Sequence, residues 1–342
     1  FTALEGKLVV FGGYNDLHVS GFLNDVHTFD PVSLVWEDMG PRISGEEPPG
    51  LYTPGFAAAG GRAYVFGGSA GSYTNVAYEW DPLAFSWRDL STVFGAPPAE
   101  RYAMGMAYAA SQVIVLGGWS AAVPDIDRGS VNDVLSFNPR TMSWSDLTLA
   151  IEGPSPPPRY AMGVAARDGE VVMFGGWGAD GSLNDLWTLD LVAMKWRDRS
   201  PSAGGASPEP RRFMGMTAAG AAVYVFGGWG ITGRKNDLWV LNADLAWTDL
   251  SASLRTPLPA PRSAMGVAWA GGKVYMFGGS SLGVQRFNDL WVFDPGLMAW
   301  RDLSASIQGA QPAPRSELGM AASGEHVFVF GGRDTSGRYN DL

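Results

Sequence analysis

Residues 274–279 read Val274-Tyr275-Met276-Phe277-Gly278-Gly279, an apolar run that ends in two glycines. The same combination occurs seven times along the chain, at spacings of 55, 50, 58, 52, 51 and 53 residues. The glycine pairs are Gly12-Gly13, Gly67-Gly68, Gly117-Gly118, Gly175-Gly176, Gly227-Gly228, Gly278-Gly279 and Gly331-Gly332. A period near fifty residues indicates one supersecondary unit per copy, each burying its faces against its neighbours.

Two further markers accompany every full copy. An Asn follows each glycine pair, at Asn24, Asn75, Asn132, Asn184, Asn236, Asn288 and Asn340, and a Trp follows in the first six copies, at Trp36, Trp87, Trp144, Trp196, Trp247 and Trp300. Each copy therefore contains four short segments that are rich in β-branched and aromatic residues and bounded by Gly, Pro, Asn or Asp, which predicts four strands. Tandem four-stranded units bury their faces by stacking around an axis, as in a β-propeller.

We therefore predict an all-β, seven-bladed propeller of antiparallel four-stranded blades over residues 1–342. The blades are expected at about 1–38, 48–90, 98–147, 157–198, 209–250, 260–303 and 313–342. The first and last copies are incomplete in this chain, and because both contain a second strand they are counted as separate blades. The residues expected to be buried in the second strands are Val9, Phe66, Val115, Phe174, Phe226, Phe277 and Phe330.

The composition limits the possible classes of partner. The formal net charge of −10 and the pI of about 4.8 argue against nucleic acid and anionic membrane surfaces. No apolar run reaches the length of a membrane-spanning helix, so membrane insertion is not expected. The sequence has no Cys and no Asn-x-Ser/Thr sequon. The compartment stays open, although the missing sequon favours an intracellular location in the cytoplasm or on the cytoskeleton.

The combined motifs resemble the kelch repeat. They are the Pro-Arg-x-x-Met-Gly entry, as at Arg262 and Met265, the Gly-Gly, the Asn-Asp and the later Trp. The resemblance covers essentially the whole chain and implies that Gly-Gly closes the second strand and that the Trp packs between blades. The second copy departs from the pattern twice, with Leu51 in place of the repeated Arg and Val76 in place of the repeated Asp. We therefore expect the second blade to be slightly weaker.

The loops at one end of the propeller are expected to differ in length between copies. The stretches between Gly-Gly and Asn contain 10, 6, 13, 7, 7, 8 and 7 residues, whereas the turns at the opposite end are short and similar. In an antiparallel blade, the loop after the second strand and the loop before the first strand lie at the same end, here called the loop face. The opposite end is called the turn face. Variable loops on one face of a repeat scaffold are typical of binding surfaces.

Two positions on the loop face supply the candidate binding residues. The residue after Gly-Gly and the residue after the repeated Arg include aromatic and arginine side chains, which are frequent hot spots of protein interfaces. The candidate partner-binding residues are Tyr14, Tyr102, Trp119, Tyr160, Trp177, Arg212, Trp229 and Arg333. The alternative is that the three Trp side chains fill space between blades. The repeated Arg101, Arg159, Arg211, Arg262 and Arg315 are interpreted as structural, and the repeated Asp25, Asp133, Asp185, Asp237, Asp289 and Asp341 as turn caps.

Enzymatic function is not supported by any motif. Chemistry like that of galactose oxidase, whose central domain has this repeat, requires a Tyr–Cys cross-link and His copper ligands, but the chain has only His18, His27 and His326. The pair Asp125 and Asp127 is a weak calcium signal and is better interpreted as a solvated loop. We therefore expect no catalytic residue, metal or cofactor and predict a protein interaction module within a larger assembly. The alternatives are carbohydrate or small-molecule binding at the Trp-lined mouth and, less favoured, a sialidase-like or epimerase-like enzyme.

Overall fold

The computed structural model shows an all-β propeller with four-stranded antiparallel blades. It describes residues 8–13, 23–30, 34–38, 43–93, 97–122, 129–200, 206–255, 257–282, 285–309, 311–323, 326–330, 332–333 and 338–339. Short 3₁₀ helices are assigned at Ser251–Ser253 and Ser304–Ser306. None of the helices in this described part is long and apolar enough to cross a membrane.

The strands follow the repeats in chain order. The first group is β1 (Leu8–Gly13), β2 (Leu23–Asp30) and β3 (Val35–Asp38). The second is β4 (Ser44–Gly45), β5 (Gly55–Ala59), β6 (Arg62–Phe66), β7 (Ala77–Asp81) and β8 (Ser86–Asp89). The third is β9 (Gly105–Ala109), β10 (Gln112–Trp119), β11 (Ser130–Asn138) and β12 (Ser143–Asp146). The fourth is β13 (Gly163–Arg167), β14 (Glu170–Gly178), β15 (Gly181–Asp190) and β16 (Lys195–Asp198).

The remaining groups continue in the same way. The fifth is β17 (Arg211–Arg212), β18 (Gly215–Ala219), β19 (Ala222–Gly230), β20 (Gly233–Leu241) and β21 (Trp247–Asp249). The sixth is β22 (Gly266–Ala270), β23 (Lys273–Phe277), β24 (Leu290–Asp294) and β25 (Ala299–Asp302). The last is β26 (Gln308–Gly309), β27 (Gly319–Ser323), β28 (His326–Phe330), β29 (Gly332–Arg333) and β30 (Arg338–Tyr339).

The number of blades differs from the prediction of seven, which is wrong: the second to sixth copies form five blades. The first and last copies instead share one sheet, in the order β26-β3-β2-β1-β28-β27. In it the two second strands, β1 and β28, lie side by side and parallel, with Val10 opposite Val329. Counting them as separate blades fails because parallel pairing is only slightly less stable per residue than antiparallel pairing, so two second strands can be neighbours.

The innermost strands close into a ring. β5, β9, β13, β18, β22 and β27 each contact the next strand, and β27 returns to β5. A cycle of backbone hydrogen bonds lies just before these strands on the loop face, between residues with φ from 48° to 63°. Its N–H···O=C bonds run Thr53 to Glu317, Glu317 to Ala264, Ala264 to Phe213, Phe213 to Ala161, Ala161 to Ala103 and Ala103 to Thr53, at 2.8–3.1 Å. The shared sheet thus takes one place in the ring beside the five blades.

The core lies between neighbouring blades. The predicted core residues Phe66, Val115, Phe174, Phe226 and Phe277 are at most 1% exposed. The side chains of Val9 and Phe330 lie outside the described residues. Of the Trp residues on the fourth strands, Trp87, Trp196, Trp247 and Trp300 are buried as expected. Trp144 is only half-buried, and the side chain of Trp36 is outside the described part.

A narrow channel of about 160 Å³ runs along the axis and is lined mainly by methionine. The methionines are Met104, Met106, Met162, Met214, Met216, Met265 and Met320. Glycines of the innermost strands make room for them. At Gly163, for example, the sulfur of Met216 lies 2.6 Å from the position that a Cβ atom would take. Flexible thioether side chains adapt well to such an irregular space, and they narrow the channel without closing it.

The outer edges of several blades are covered by the segment that follows the preceding fourth strand. Ser44–Gly45 pairs in parallel with β8, and Gln308–Gly309 pairs with β3. Isolated parallel bridges join Glu152 to Lys195 and Arg255 to Ala299 in the same way. Covered edges do not offer unpaired backbone groups to other chains. The rim of the propeller is therefore poorly suited to strand addition at these blades, which leaves the two faces as the more open surfaces.

Candidate functional site

An arginine–aspartate pair supports the loop face in four blades. In the fourth blade, the guanidinium of Arg159 donates to both carboxylate oxygens of Asp185 at 2.5 and 2.6 Å and to the carbonyl oxygen of Gly175 at 3.0 Å. The equivalent pairs are Arg101–Asp133, Arg211–Asp237 and Arg262–Asp289. The arginines are at most 2% exposed, which confirms their structural interpretation. The interpretation of these aspartates as turn caps is wrong, because their carboxylates bind arginine.

The second blade replaces both members of this pair. Leu51 is fully buried and Val76 packs against the same apolar cluster. The two departures seen in the sequence are therefore one change, from a buried ion pair to an apolar contact. Such a replacement is often neutral or stabilising, because the desolvation of two charges is avoided. Arg315 in the last copy is as buried as the other arginines, whereas Asp341 and the side chain of Asp25 lie outside the described residues.

The Gly-Gly pairs do not close the second strand in the third, fourth and fifth blades. Strands β10, β14 and β19 continue past the glycines, and the register shifts at the pair, as between Phe174 and Gly176. Gly175 and Gly176 have φ values of 60° and 103°, which glycine adopts without strain. In the fourth and fifth blades the stretches after these glycines are thus extended hairpins rather than irregular segments. A side chain placed on such a strand is held more rigidly than one on a loop.

The two candidate positions of each copy are direct backbone partners. The amide of Tyr160 donates to the carbonyl of Trp177 at 3.1 Å, and the amide of Trp177 donates back at 2.8 Å. The equivalent pairs are Tyr52 with Ser69, Tyr102 with Trp119, Arg212 with Trp229 and Ser263 with Ser280. The side chains named from the sequence are therefore brought together on the loop face. Tyr14 and the side chain of Arg333 lie outside the described residues.

An aromatic cluster covers the loop face from the second blade to the edge of the fourth. It consists of Tyr52, Tyr73, Tyr102, Trp119 and Tyr160. Tyr73 stacks on Tyr102 with ring centroids 5.1 Å apart, and both rings contact Trp119 at 4.8 and 5.5 Å. Tyr102 also meets Tyr52 and Tyr160, each at 6.1 Å. Burial raises the pKa of Tyr102, and the surrounding tyrosines raise it further, so its hydroxyl stays neutral at physiological pH.

A ladder of alternating rings and guanidinium groups continues across the fourth and fifth blades. Arg212 lies between two indoles, 4.0 Å from the ring centroid of Trp177 and 4.5 Å from that of Trp229. Arg234 covers Trp229 at 4.8 Å. We call these four residues the arginine ladder. Burial lowers the pKa of Arg212, and although the Tyr160 hydroxyl raises it, the charge of Arg234 lowers it further. Arginine nonetheless remains charged in proteins, so the ladder is cationic.

A cavity of about 350 Å³ separates the aromatic cluster from the arginine ladder. It is lined by Trp119, Ser130, Tyr160, Trp177 and the hairpin tip Gly178, Ala179, Asp180 and Gly181. We call it the cage. Trp119 and Trp177 are half-buried and Asp180 is exposed, while Trp229 beyond the ladder is 39% exposed. All three Trp side chains are therefore partly accessible on the loop face.

Several residues of this surface were not identified from the sequence. Tyr52, Tyr73, Asp180 and Arg234 were not singled out. Tyr52 occupies the position of Tyr102 in the repeat, and this alignment could have identified it although the preceding residue is Leu51. Tyr73 and Arg234 lie on the strand opposite the residue after Gly-Gly, a position that becomes visible only once the hairpin register is known.

Metal-binding groups are not found in the described part of the chain: no set of three or more His, Cys, Asp or Glu side chains there lies close enough to hold an ion. The pair Asp125 and Asp127, considered above as a weak calcium signal, lies outside the described residues. The arrangement of rings, arginines and one carboxylate is suited to recognition by stacking and charge.

Comparison with known families agrees with the repeat architecture. The model of the KLHDC2/KLHL20/DRC7 Kelch-repeats domain matches residues 1–176 and 125–332. The chain belongs to the kelch-repeat family. The resemblance inferred from the Gly-Gly, Asn-Asp and Trp markers is thereby confirmed.

Relatives of this kelch-repeat chain include much longer proteins. It is 28% identical to host cell factor 1 of Homo sapiens over 333 residues, which cover 86% of this chain and 16% of that protein. It is 32% identical to the Rab9 effector protein with kelch motifs of Bos taurus over 215 residues, covering 60% of this chain and 56% of that protein. A match of 29% identity also extends to the dynein alpha chain of the flagellar outer arm of Chlamydomonas reinhardtii, of which 4% is covered.

Proposed function

We propose that this chain is a non-catalytic protein–protein interaction module that acts as a scaffold in a larger assembly and binds its partner through the loop face. The observation that carries the proposal is the surface that the aromatic cluster, the cage and the arginine ladder form together over four consecutive blades. Trp, Tyr and Arg are the residues most enriched among interface hot spots. Extended hairpins hold several of these side chains in place, so binding them costs little conformational entropy.

The family relationship supports an interaction role. One relative is named as an effector of Rab9 and another is a chain of the flagellar outer dynein arm, so kelch repeats occur in proteins named for a partner or an assembly. The net charge of −10 disfavours nucleic acid as the partner. The partner is therefore proposed to be a protein.

Carbohydrate or small-molecule binding in the cage is the second candidate. The rings of Trp119 and Trp177 could stack on a sugar, and the cavity volume of about 350 Å³ falls in the range of small-ligand sites. Among the described residues, the side chains that offer it a carboxylate or hydroxyl group are Asp180, Ser130 and Tyr160. A sugar site usually adds amide groups beside the rings, so the lining supports this candidate less well.

The test is capture of partners by the tagged chain, followed by cross-linking to map the contact. Trp177→Ala should reduce captured partner at least about tenfold, since a hot-spot residue contributes about 2 kcal/mol or more. Leu297→Ala is the control, because Leu297 is 62% exposed on the turn face and should be neutral. Cross-links confined to the turn face or the rim, with unchanged capture by Trp177→Ala, would refute the proposal.

A further inference from the structure

Two arginines that are neighbours in the fifth blade form very different hydrogen bonds. The guanidinium of Arg211 donates to the carbonyl oxygen of Gly227 at 2.8 Å and to the two carboxylate oxygens of Asp237 at 2.8 and 2.7 Å. The guanidinium of Arg212, the next residue, makes a single hydrogen bond within the described part of the chain, to Ser182 at 3.3 Å. A guanidinium has five N–H donors, so most of those of Arg212 have no acceptor among the described residues.

Arg234, on the next strand of the same blade, also bonds to neutral groups. It donates to Ser263 at 3.0 Å and to Ser280 at 3.5 Å, two buried hydroxyl groups of the sixth blade. Among the described residues, no carboxylate forms an ion pair with Arg212 or Arg234. Both side chains are half-buried. Each guanidinium is therefore held in place by hydroxyl groups and rings, but its charge is not neutralised by an ion pair with a described residue.

The positive charges of this surface repel one another. The guanidinium of Arg212 lies 4.5 Å and that of Arg234 lies 4.8 Å from the ring centroid of Trp229. Burial lowers the pKa of Arg234, and the charge of Arg286 lowers it further, whereas the charge of Glu317 raises it. A like charge that lowers a pKa makes the charged form less favourable. An anion that contacts both Arg212 and Arg234 would relieve this repulsion.

A phosphate group fits this pair of arginines better than a carboxylate does. A phosphorylated side chain carries a charge of about −1.5 to −2 at pH 7 and three acceptor oxygens, so two guanidinium groups match both its charge and its oxygens. A carboxylate has one charge and two oxygens, which a single guanidinium satisfies. The net charge of −10 also disfavours a long acidic segment, because its charges beyond the site would be repelled by the chain as a whole.

We propose that Arg212 and Arg234 together bind the phosphate group of a phosphorylated residue of the partner protein, beside Trp229. This inference rests on the proposed function, because it specifies the chemistry of a partner bound at the loop face. The serine and ring contacts hold both guanidinium groups before binding, so the phosphate meets donors that are already positioned. Arginine clusters are a recurring means of recognising phosphorylated segments, and binding would then depend on the phosphorylation state of the partner.

The test uses the chain labelled with 5-fluorotryptophan and observed by fluorine NMR at about pH 7.5, where the phosphate is a dianion. The resonance of Trp229 is assigned with Trp229→Phe. The probes are N-acetyl-O-phosphoserine N-methylamide and the corresponding glutamate and serine compounds. We expect the phosphoserine probe to shift this resonance in a saturable way, with an affinity about tenfold higher than that of the glutamate probe. Equal affinities for these two probes, or no shift with phosphoserine, would overturn the proposal.

Three variants that each remove one positive charge separate the site from the overall charge. Arg212→Gln and Arg234→Gln should each weaken binding of the phosphoserine probe about tenfold, because each removes a charge-assisted contact. Arg140→Gln removes an exposed guanidinium between β11 and β12 on the turn face and should leave the affinity unchanged. If Arg212→Gln lowers the thermal midpoint, Arg234→Gln alone decides the test. Equal losses of affinity in all three variants would indicate general charge attraction and overturn the proposal.

The outcomes separate this inference from the proposed function. A partner cross-linked to the loop face whose capture is unchanged by phosphatase treatment, together with an inactive phosphoserine probe, would leave the interaction module intact and refute the phosphate anchor. Binding of the probe with no partner contact on the loop face would refute the interaction module but not the phosphate site. Inorganic phosphate that binds as tightly as the phosphoserine probe would replace the proposal with a site for free phosphate. Tighter binding of a thymidine oligonucleotide would replace it with nucleic-acid binding.

Discussion

At the scale of single residues, the repeat places the same buried ion pair in several blades and an apolar contact in one. Arg101, Arg159, Arg211 and Arg262 each bind an aspartate of their own blade, and their guanidinium groups also hold the Gly-Gly carbonyl. Leu51 and Val76 take the two places in the second blade. Because both partners change together, neither blade type buries an unpaired charge, which would be the costly situation.

Leu51→Arg tests this compensation. Alone, the substitution buries a guanidinium without its carboxylate and should reduce the free energy of unfolding by about 3–5 kcal/mol. Adding Val76→Asp should recover about 2–3 kcal/mol, as coupled residues in one network do. Denaturant unfolding of the two single variants and the double variant measures the coupling. Additive losses in the double variant would show that the two positions do not form a pair in this blade.

The ion pair of Arg211 and Asp237 also predicts that the free energy of unfolding depends on pH. Burial raises the pKa of Asp237, but the hydrogen bonds and charge of Arg211 outweigh this effect and hold the pKa below its usual value. A carboxylate with a lowered pKa in the folded state stabilises the protein above its unfolded pKa of about 4, and this contribution disappears as the pH falls through the folded value. The unfolding free energy of the wild type relative to Asp237→Asn should therefore shrink below about pH 4. A difference that stays constant from about pH 6 to about pH 3 would contradict the assignment.

At the scale of strands, the fourth strand of a blade contributes most through its Trp. Trp196 is 3% exposed and packs in the cluster between the third and fourth blades with Met162, Met173 and Trp187. Trp144 has the same place in the preceding blade but is only half-buried. The Trp at this repeated position is therefore expected to contribute different amounts to the free energy of unfolding in different copies.

Trp196→Ala should lower the free energy of unfolding by about 3–5 kcal/mol, because it removes a large side chain from a packed core. Trp144→Ala is the matched control and should cost clearly less, since part of its ring already contacts solvent. Chemical denaturation of both variants beside the wild type provides the comparison. Equal losses would mean that exposure does not govern the contribution of this position.

The periodic markers predicted the strands well. They did not predict where the strands end, or how the strands of the first and last copies are ordered in the sheet that they share. Apolar runs before Gly-Gly locate every buried second strand, because burial on both faces requires continuous apolar sequence. The bulge at Gly175-Gly176 and the extended hairpin beyond it have no separate signal, since polar residues of an exposed hairpin resemble those of a loop. The parallel pairing of Val10 with Val329 was also not predictable, because it depends on which edges meet when the ring closes.

The same limit applies to the candidate site. Trp119, Trp177, Trp229, Tyr102, Tyr160 and Arg212 could be named because they occupy fixed positions beside repeated residues. The cage itself could not, because its described lining combines residues of two repeats, and one of them, Ser130, lies at a position identified only by strand register. A cavity whose lining residues belong to two different repeats has no marker in the sequence.

At the scale of the whole molecule, closure depends on the sheet that the first and last copies share. In a linear array each unit contacts only its neighbours, but in a ring the loss of one junction exposes two faces. The cycle of hydrogen bonds from Thr53 through Glu317 crosses this junction as well. The five blades and the shared sheet are therefore expected to unfold together.

Val329→Pro probes the junction, because proline removes a backbone donor from β28 within the shared sheet. It should lower the midpoint of a single unfolding transition by about 5 °C or more. Val329→Ile keeps the donor and the β-branched shape and should change little. A separate early transition, with the remainder melting at the wild-type midpoint, would show that the blades are stable without closure.

The methionine lining of the axial channel has a chemical consequence. Thioethers are oxidised by peroxide to sulfoxides, which are polar and chiral. The channel brings together Met106, Met216 and Met320, all half-buried, around a space that admits small oxidants. The sulfur of Met216 lies against Gly163, so an added oxygen has little room on the side of that strand. Oxidative damage at the axis would therefore loosen the contacts between blades from the inside, while leaving the sequence and the outer surface of the propeller unchanged.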